Sequence, residues 1–286
     1  MNCGKFRSAD AGVGCIPSGD QSMLSAAAEG LPSSGLVLWL RADRGVYILQ
    51  TDAGSASSSD AGTPGVCAWL DQSGQGWLLG NGGSAPAVWL DSGVGGQAAI
   101  HFNSGADPLQ TSGVLNIGPT SPRTFVAVEE LVNTDGRFAP IEQGQTGTRG
   151  TYLAIDSNTW QTAGNREGVY VTSNSYDSDL ATASGTPRVH ILAISTMTVG
   201  SPVLAAVDYR VNGVARTLTA AAANGGNDLQ DFSGANFTQV GGTQFQTTTG
   251  VSTDALLAEV LVYNRAVDAS EKQNIESALK ARYSIP

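Results

Sequence analysis

Two polar stretches hold the residues whose types suit ligand chemistry: Asp156-Ser157-Asn158-Thr159-Trp160-Gln161 and Asn174-Ser175-Tyr176-Asp177-Ser178-Asp179. Trp160 and Tyr176 are aromatics in polar company, the pattern of a ring on which a sugar stacks while neighbouring amides and acids bond its hydroxyls. Asn158 and Asn174 are the nearest amides, so Trp160, Tyr176, Asn158 and Asn174 are the expected ligand-binding residues. Asp156, Asp177 and Asp179 supply hard oxygen ligands, and calcium is the cation they suit best. Acids in such company more often solvate loops and cap turns. The Ser, Asn and Gly around them predict loops, as they do near Asp228 and Asp231, a second group of acids that can hold a cation.

Other chemistry is missing from the sequence. There is no GxSxG elbow for a hydrolase of the α/β type, no CxxC pair for zinc and no EF-hand loop. Gly80-Asn81-Gly82-Gly83 and Gly93-Val94-Gly95-Gly96 echo a dinucleotide loop, but neither opens a helix in a βαβ unit. His101 and His190 lie in apolar, strand-like runs and read as packed or hydrogen-bonded side chains. Glu129 and Glu130 are adjacent, so on a strand they point to opposite faces.

The elements that must position such residues are short strands. The chain has 286 residues, 41% hydrophobic and 14% charged, with 36 Gly and 11 Pro, which favours turns over charged helical faces. Apolar runs recur between Gly, Asn, Asp and Ser clusters from Leu36 onward, and Asn212-Gly213 between two β-like runs predicts a hairpin. Residues 51–65 read as a polar surface insertion. At the end, Leu257 to Tyr263 reads as a buried strand running into a helix. Asp268 and Glu271 stand at capping-box spacing there, Ile275, Leu279 and Tyr283 form one stripe, and Lys280 and Arg282 sit near the C-terminal end.

A formal charge of -10 opposes nucleic-acid binding, which needs clustered Lys and Arg. No apolar run reaches about 18 residues, so no membrane span is expected. Residues 1–30 lack the pattern of a secretion signal, and residues 1–34 read as an N-terminal arm or linker, with one domain over 35–286. Cys3 and Cys15 can close a loop in that arm while Cys67 lies beside Trp69 in a strand; three unpaired thiols are the other reading.

The ending strand and helix, Gly35-Leu36-Val37-Leu38-Trp39-Leu40-Arg41-Ala42-Asp43, and the turn Trp69-Leu70-Asp71-Gln72-Ser73-Gly74 together resemble laminin-G-like domains of bacterial or phage type, within the concanavalin A-like lectin and glucanase jelly rolls. Further similarity lies in Gln97 to Phe102, Arg123 to Val128 and Asp208 to Gly213. The resemblance implies an all-β fold: a two-sheet antiparallel β-sandwich, or jelly roll, with a short C-terminal helix and an extended N-terminal arm. It also implies calcium at the sandwich rim. The glucanase branch carries a Glu-x-Asp-x-x-Glu strand, which this sequence lacks, so no catalytic residue is expected.

The expected function is a non-enzymatic surface recognition module that binds a glycan or cell-surface polysaccharide through rim loops, extracellular or on the cell surface. The alternative is a structural virion component, such as a capsid-decorating or fibre protein, with residues 1–34 docking to a capsid or surface-assembly partner. A glucanase or polysaccharide lyase stands behind both.

Overall fold

A computed structural model describes residues 14–18, 20, 22, 25–50, 65–81, 85–103, 105–112, 115–118, 121–134, 138–144, 152–159, 166–172, 174–196, 204–220, 237–242 and 254–286. Its described residues form antiparallel strands in two sheets and one α-helix, the fold class expected above.

The eight-stranded sheet is built around β19 (Ala255–Tyr263). One side of β19 pairs with β9 (Arg123–Leu131), and the other with β2 (Leu36–Arg41) and β7 (Ala99–Phe102). β14 (Arg188–Ile194) and β15 (Val207–Val211) continue the sheet beyond β9, and β6 (Val88–Leu90) lies beyond β7. β16 (Val214–Ala215) closes the hairpin predicted at Asn212-Gly213, where both residues take left-handed backbone with φ of 50° and 86°. Such torsions define the tight turn that Asn-Gly favours.

The eleven-stranded sheet begins with β1 (Gly14–Ser18), β3 (Val46–Gln50), β4 (Val66–Leu70), β5 (Leu78–Asn81), β8 (Leu109–Ser112) and β18 (Phe237–Val240). It continues through β10 (Glu142–Gly144), β11 (Tyr152–Thr159), β12 (Arg166–Thr172), β13 (Asn174–Ala181) and β17 (Leu218–Ala220). Part of the segment read as an arm thus supplies an edge strand, and Cys15 on it is disulfide-bonded to Cys67 on β4. Cys3 and most of the 51–65 insertion lie outside the described residues.

Alternation divides each strand between two environments. Phe125, Ala127, Leu192, Val260 and Val262 of the smaller sheet meet Val46, Leu79, Leu109, Ile155, Val169 and Val240 of the larger one in a single buried core. The outer face of the smaller sheet carries Trp39, Val126, Val128, Ile191, Leu261 and Tyr263. It is sealed by Ile275 and Leu279 of α1 (Ala269–Arg282) and by Tyr283 just after the helix. The helix starts with the expected capping box, Asp268 accepting from Glu271 N–H and Glu271 from Asp268 N–H, at 2.8 and 2.9 Å.

A register shift between Leu257 and Glu259 lets Ala258 and Glu259 both face the helix. Glu259, fully buried, accepts from the Trp39 indole N–H at 2.6 Å, the Tyr283 hydroxyl at 2.9 Å and the Arg282 guanidinium at 2.7 Å. Arg282 also reaches Glu29 at 2.7 Å, and Glu29 lies 3.2 Å from Arg41. Burial, followed by the Glu259 charge, holds the Tyr283 hydroxyl well above its ordinary range.

The turn after β4 is fixed as firmly. Asp71, fully buried, accepts from the Trp39 and Ser73 backbone N–H groups at 2.8 Å each and from the Ser73 hydroxyl at 2.7 Å; Trp69 donates its indole N–H to the Arg41 carbonyl. These bonds explain why Trp, Asp and Ser stand at those spacings.

Removing one partner of a buried ion pair strands the other. Glu259→Ala should therefore cost about 3–5 kcal/mol in chemical denaturation, whereas a loss below about 1 kcal/mol, typical of exposed pairs, would contradict the clamp. Acid should loosen the helix through Glu271, whose carboxyl is held below its usual range first by the Arg265 hydrogen bonds. A depressed carboxyl stabilises the fold above its unfolded pKa and loses that contribution as pH falls through the folded value. A helix-melting midpoint that drops at acidic pH in the wild type but less in Glu271→Gln is the expected result.

Candidate functional site

With one face of the smaller sheet under α1 and the inner faces forming the core, the outer face of the larger sheet remains for function. Cross-strand register defines what lies on it. Gln110 pairs with Gln239, Gln239 with Glu142, Glu142 with Ala154, and Ala154 with Tyr170, one row across five strands. The neighbours of these residues along their strands, Leu109, Val240, Ile141, Ile155 and Val169, are core residues, so the row faces away from the core.

Glu142 and Gln239 are buried, and Gln239 donates its amide N–H to Glu142 Oε2 at 3.0 Å. The adjacent row is Asp156, Gly168 and Asp177, paired in that order across β11, β12 and β13. Position 156 lies two residues along β11 from Ala154, the partner of Glu142, and so occupies the same face. Such diagonal neighbours lie about 7–8 Å apart at Cα. Three acidic positions drawn from three strands thus share one face, with a side-chain-free glycine between two of them.

The inner faces hold separate polar groups. Arg123 donates to Gln143 Oε1 at 3.0 Å and to the Gly118 carbonyl at 2.6 Å, and Gln143 donates to the Thr238 hydroxyl at 3.2 Å. Burial lowers the Arg123 guanidinium to about 10. His190 is fully buried between Tyr209, 2.8 Å from its Nδ1, and Glu129, 3.0 Å from its Nε2. These groups brace the two sheets and lie away from solvent, as expected of His190.

The residues singled out in the sequence are separated by this geometry. The expected loops at 156–159 and 174–180 are strands: Asp156 and Asn158 belong to β11, and Asn174, Tyr176, Asp177 and Asp179 to β13. Extended backbone at the Ser- and Asn-rich segment follows from pairing with β12 and β17, which overrides its weak strand preference. Tyr176 pairs with core residue Val169 and Asp177 with Gly168, so these two expected partners stand in different rows. Asp179 is exposed near the C-terminal end of β13. Trp160, Asp228 and Asp231 lie outside the described residues. Among the described residues, no three His, Cys, Asp or Glu side chains converge as metal ligands. Sequence reading missed Glu142 and Gln239: Phe237-Thr238-Gln239-Val240 runs apolar, polar, polar, apolar, so no period-two alternation marks which of its residues face outward.

This is an antiparallel β-sandwich with a polar, acid-bearing face. No protein-family model matches the sequence, and no curated protein matches it either. Solved structures do match. A GH54 α-L-arabinofuranosidase mutant soaked with 4-nitrophenyl α-L-arabinofuranoside is 16% identical over 94% of this chain and 63% of its own, with a TM-score of 0.54. Trypanosoma rangeli sialidase in complex with sialic acid is 15% identical over 87% of this chain and 34% of its own, at 0.47. A CBM40 of the Ruminococcus gnavus IT-sialidase, bound to α2,3 sialyllactose, is 13% identical over 57% of this chain and 95% of its own, at 0.38. The chain therefore spans less than two thirds of the arabinofuranosidase and about a third of the sialidase.

At such identity the arabinofuranosidase likeness shows the fold alone, and that fold is one in which glycoside hydrolases are built. This finding corrects the expectation of a chain without enzymatic function, whether a recognition module or a structural virion component. The missing Glu-x-Asp-x-x-Glu strand had excluded acids clustered within one strand; it does not exclude acids brought together from several. No helix among the described residues is long and apolar enough to cross a membrane.

Gln239→Leu removes the amide donor from a buried carboxylate while keeping the side chain's bulk. A loss of about 1.5–3 kcal/mol in urea denaturation is expected, and an unchanged midpoint would contradict the pairing.

Proposed function

We propose that the chain is a carbohydrate-active enzyme unit that hydrolyses glycosidic bonds on the outer face of its larger sheet. The observation that carries this reading is the register, which brings the acidic positions Glu142, Asp156 and Asp177 onto one face from three strands. Glycoside hydrolysis requires two carboxyl groups flanking the bond: one protonates the leaving oxygen, and the other attacks the sugar or activates water. Glu142 and Asp156, diagonal neighbours on this face, are assigned as that pair. Gln239 is a positioning residue that holds Glu142 through its amide. Gly168 stands between the Asp156 and Asp177 positions and brings no side chain of its own, and Asp177 is assigned to accept from sugar hydroxyls.

The laminin-G-like assignment accompanies this proposal, since the antiparallel sandwich is compatible with it. The Cys15–Cys67 disulfide supports an extracellular or cell-surface setting, where such bonds persist. Calcium at Asp156, Asp177 and Asp179 is a further part of the proposal, and no step of the hydrolysis is routed through it.

Release of nitrophenol from 4-nitrophenyl glycosides of arabinose, xylose, glucose and galactose tests the reading, alongside reducing-end release from the matching polysaccharides. Glu142→Gln and Asp156→Asn should each lower kcat by about 10²–10⁴-fold with the fold intact by circular dichroism. No hydrolysis of any substrate, or full activity in both variants, would refute it. Equal rates with added calcium and with chelator would remove the ion.

A further inference from the structure

We propose a second binding site, for a neutral sugar, in the cavity between the start of β2, the turn after β4 and the Leu115-Asn116 segment. The cavity measures about 340 Å³ and is lined by Ser33, Gln75, Trp77, Leu115, Asn116 and Asn264 with the backbone of Gly35 to Val37. Its volume falls at the low end of small-molecule sites, about 300–1,000 Å³. No residue of the acidic face lines it, so the inference stands apart from the hydrolytic reading.

Three features define the ligand. First, no charged side chain lines the cavity, which favours an uncharged molecule. Second, Trp77 is half-buried, anchored against the core, and leaves part of a rigid ring at the wall. A half-exposed indole offers a flat face to the C–H groups of a sugar ring. Third, the side-chain amides of Gln75, Asn116 and Asn264 are exposed, and neither they nor the Trp77 indole N–H has a hydrogen-bond partner among the described residues. Amides present donors and acceptors together, which matches hydroxyls that do both.

The backbone is shaped to hold these groups in place. Leu115 and Asn116 both take left-handed backbone at φ 56°, unusual for consecutive non-glycine residues. Leu115 is buried in the core, which fixes the adjoining Asn116 at the cavity edge. Gly35, at φ 74°, passes so close to Asn264 that an added Cβ would lie 2.8 Å from the Asn264 Oδ1. The Asn264 backbone N–H bonds the Gly35 carbonyl at 2.8 Å, which secures the opposite wall.

The test is titration of the full chain with free D-glucose, D-galactose, D-xylose and L-arabinose, each past ~10 mM to cover millimolar dissociation constants. The readout is the Trp77 indole N–H resonance, assigned by its loss in Trp77→Phe. At least one sugar should shift that resonance saturably. Asn116→Gly, which keeps the left-handed backbone, and Gln75→Ala, on an exposed turn, should each weaken binding about five- to tenfold with unchanged thermal midpoints. Glu142→Gln should bind as the wild type does, which separates this site from the hydrolytic face. No shift with any of the four sugars, a shift with D-glucuronic acid alone, or equal affinity in both cavity variants would overturn the proposal.

Discussion

One buried carboxylate organises the whole molecule. Glu259 sits in the central strand of the smaller sheet and is reached by the first long strand through Trp39, by the end of the helix through Arg282 and by the residue after it through Tyr283. A charge removed from water is tolerated only when it is fully bonded. Assembling those donors therefore brings together residues separated by more than two hundred positions in the chain. The clamp closes the helix over one face of the smaller sheet, and that closure determines which surfaces remain for function.

Everything on the larger sheet follows from that division. Its inner side must join the core, so Leu109, Val240, Ile141, Ile155 and Val169 point inward and their neighbours along each strand point outward. Glu142, Asp156 and Asp177 fall on the outward side because of this alternation, and antiparallel register then sets Glu142 diagonal to Asp156 and Asp177 one strand beyond Gly168. An acidic, amide-bearing face on a rigid sheet is a surface suited to polyhydroxylated ligands. The fold's occurrence in an arabinofuranosidase agrees with such use without dictating it.

Local features of the structure were legible in the sequence, and long-range ones were not. The capping box at Asp268 and Glu271, the Asn212-Gly213 turn and the Asp71-centred turn each depend on residues a few positions apart, whose chemistry is visible in order along the chain. The acidic face depends on which residue of β10 stands opposite which residue of β11, and such register is set by tertiary packing. The Ser, Asn and Asp of Asn174 to Asp179 weakly favour strands, so local composition points to a loop, whereas flanking strands impose the extended form. Proximity in the chain pairs Cys15 with Cys3, whereas its partner is Cys67 on a strand two places across the sheet. Glu142 escaped notice because a lone acid in a short run resembles any solvated side chain until its register partners are known.

The most direct test of the central claim, that the outer face of the larger sheet is the working surface, is a crystal structure of the protein soaked with the 4-nitrophenyl glycosides. The account predicts sugar density over Gly168, with hydroxyl or glycosidic oxygens within hydrogen-bond reach of Glu142, Asp156 or Asp177. A sugar bound elsewhere while that face stays bare would contradict it.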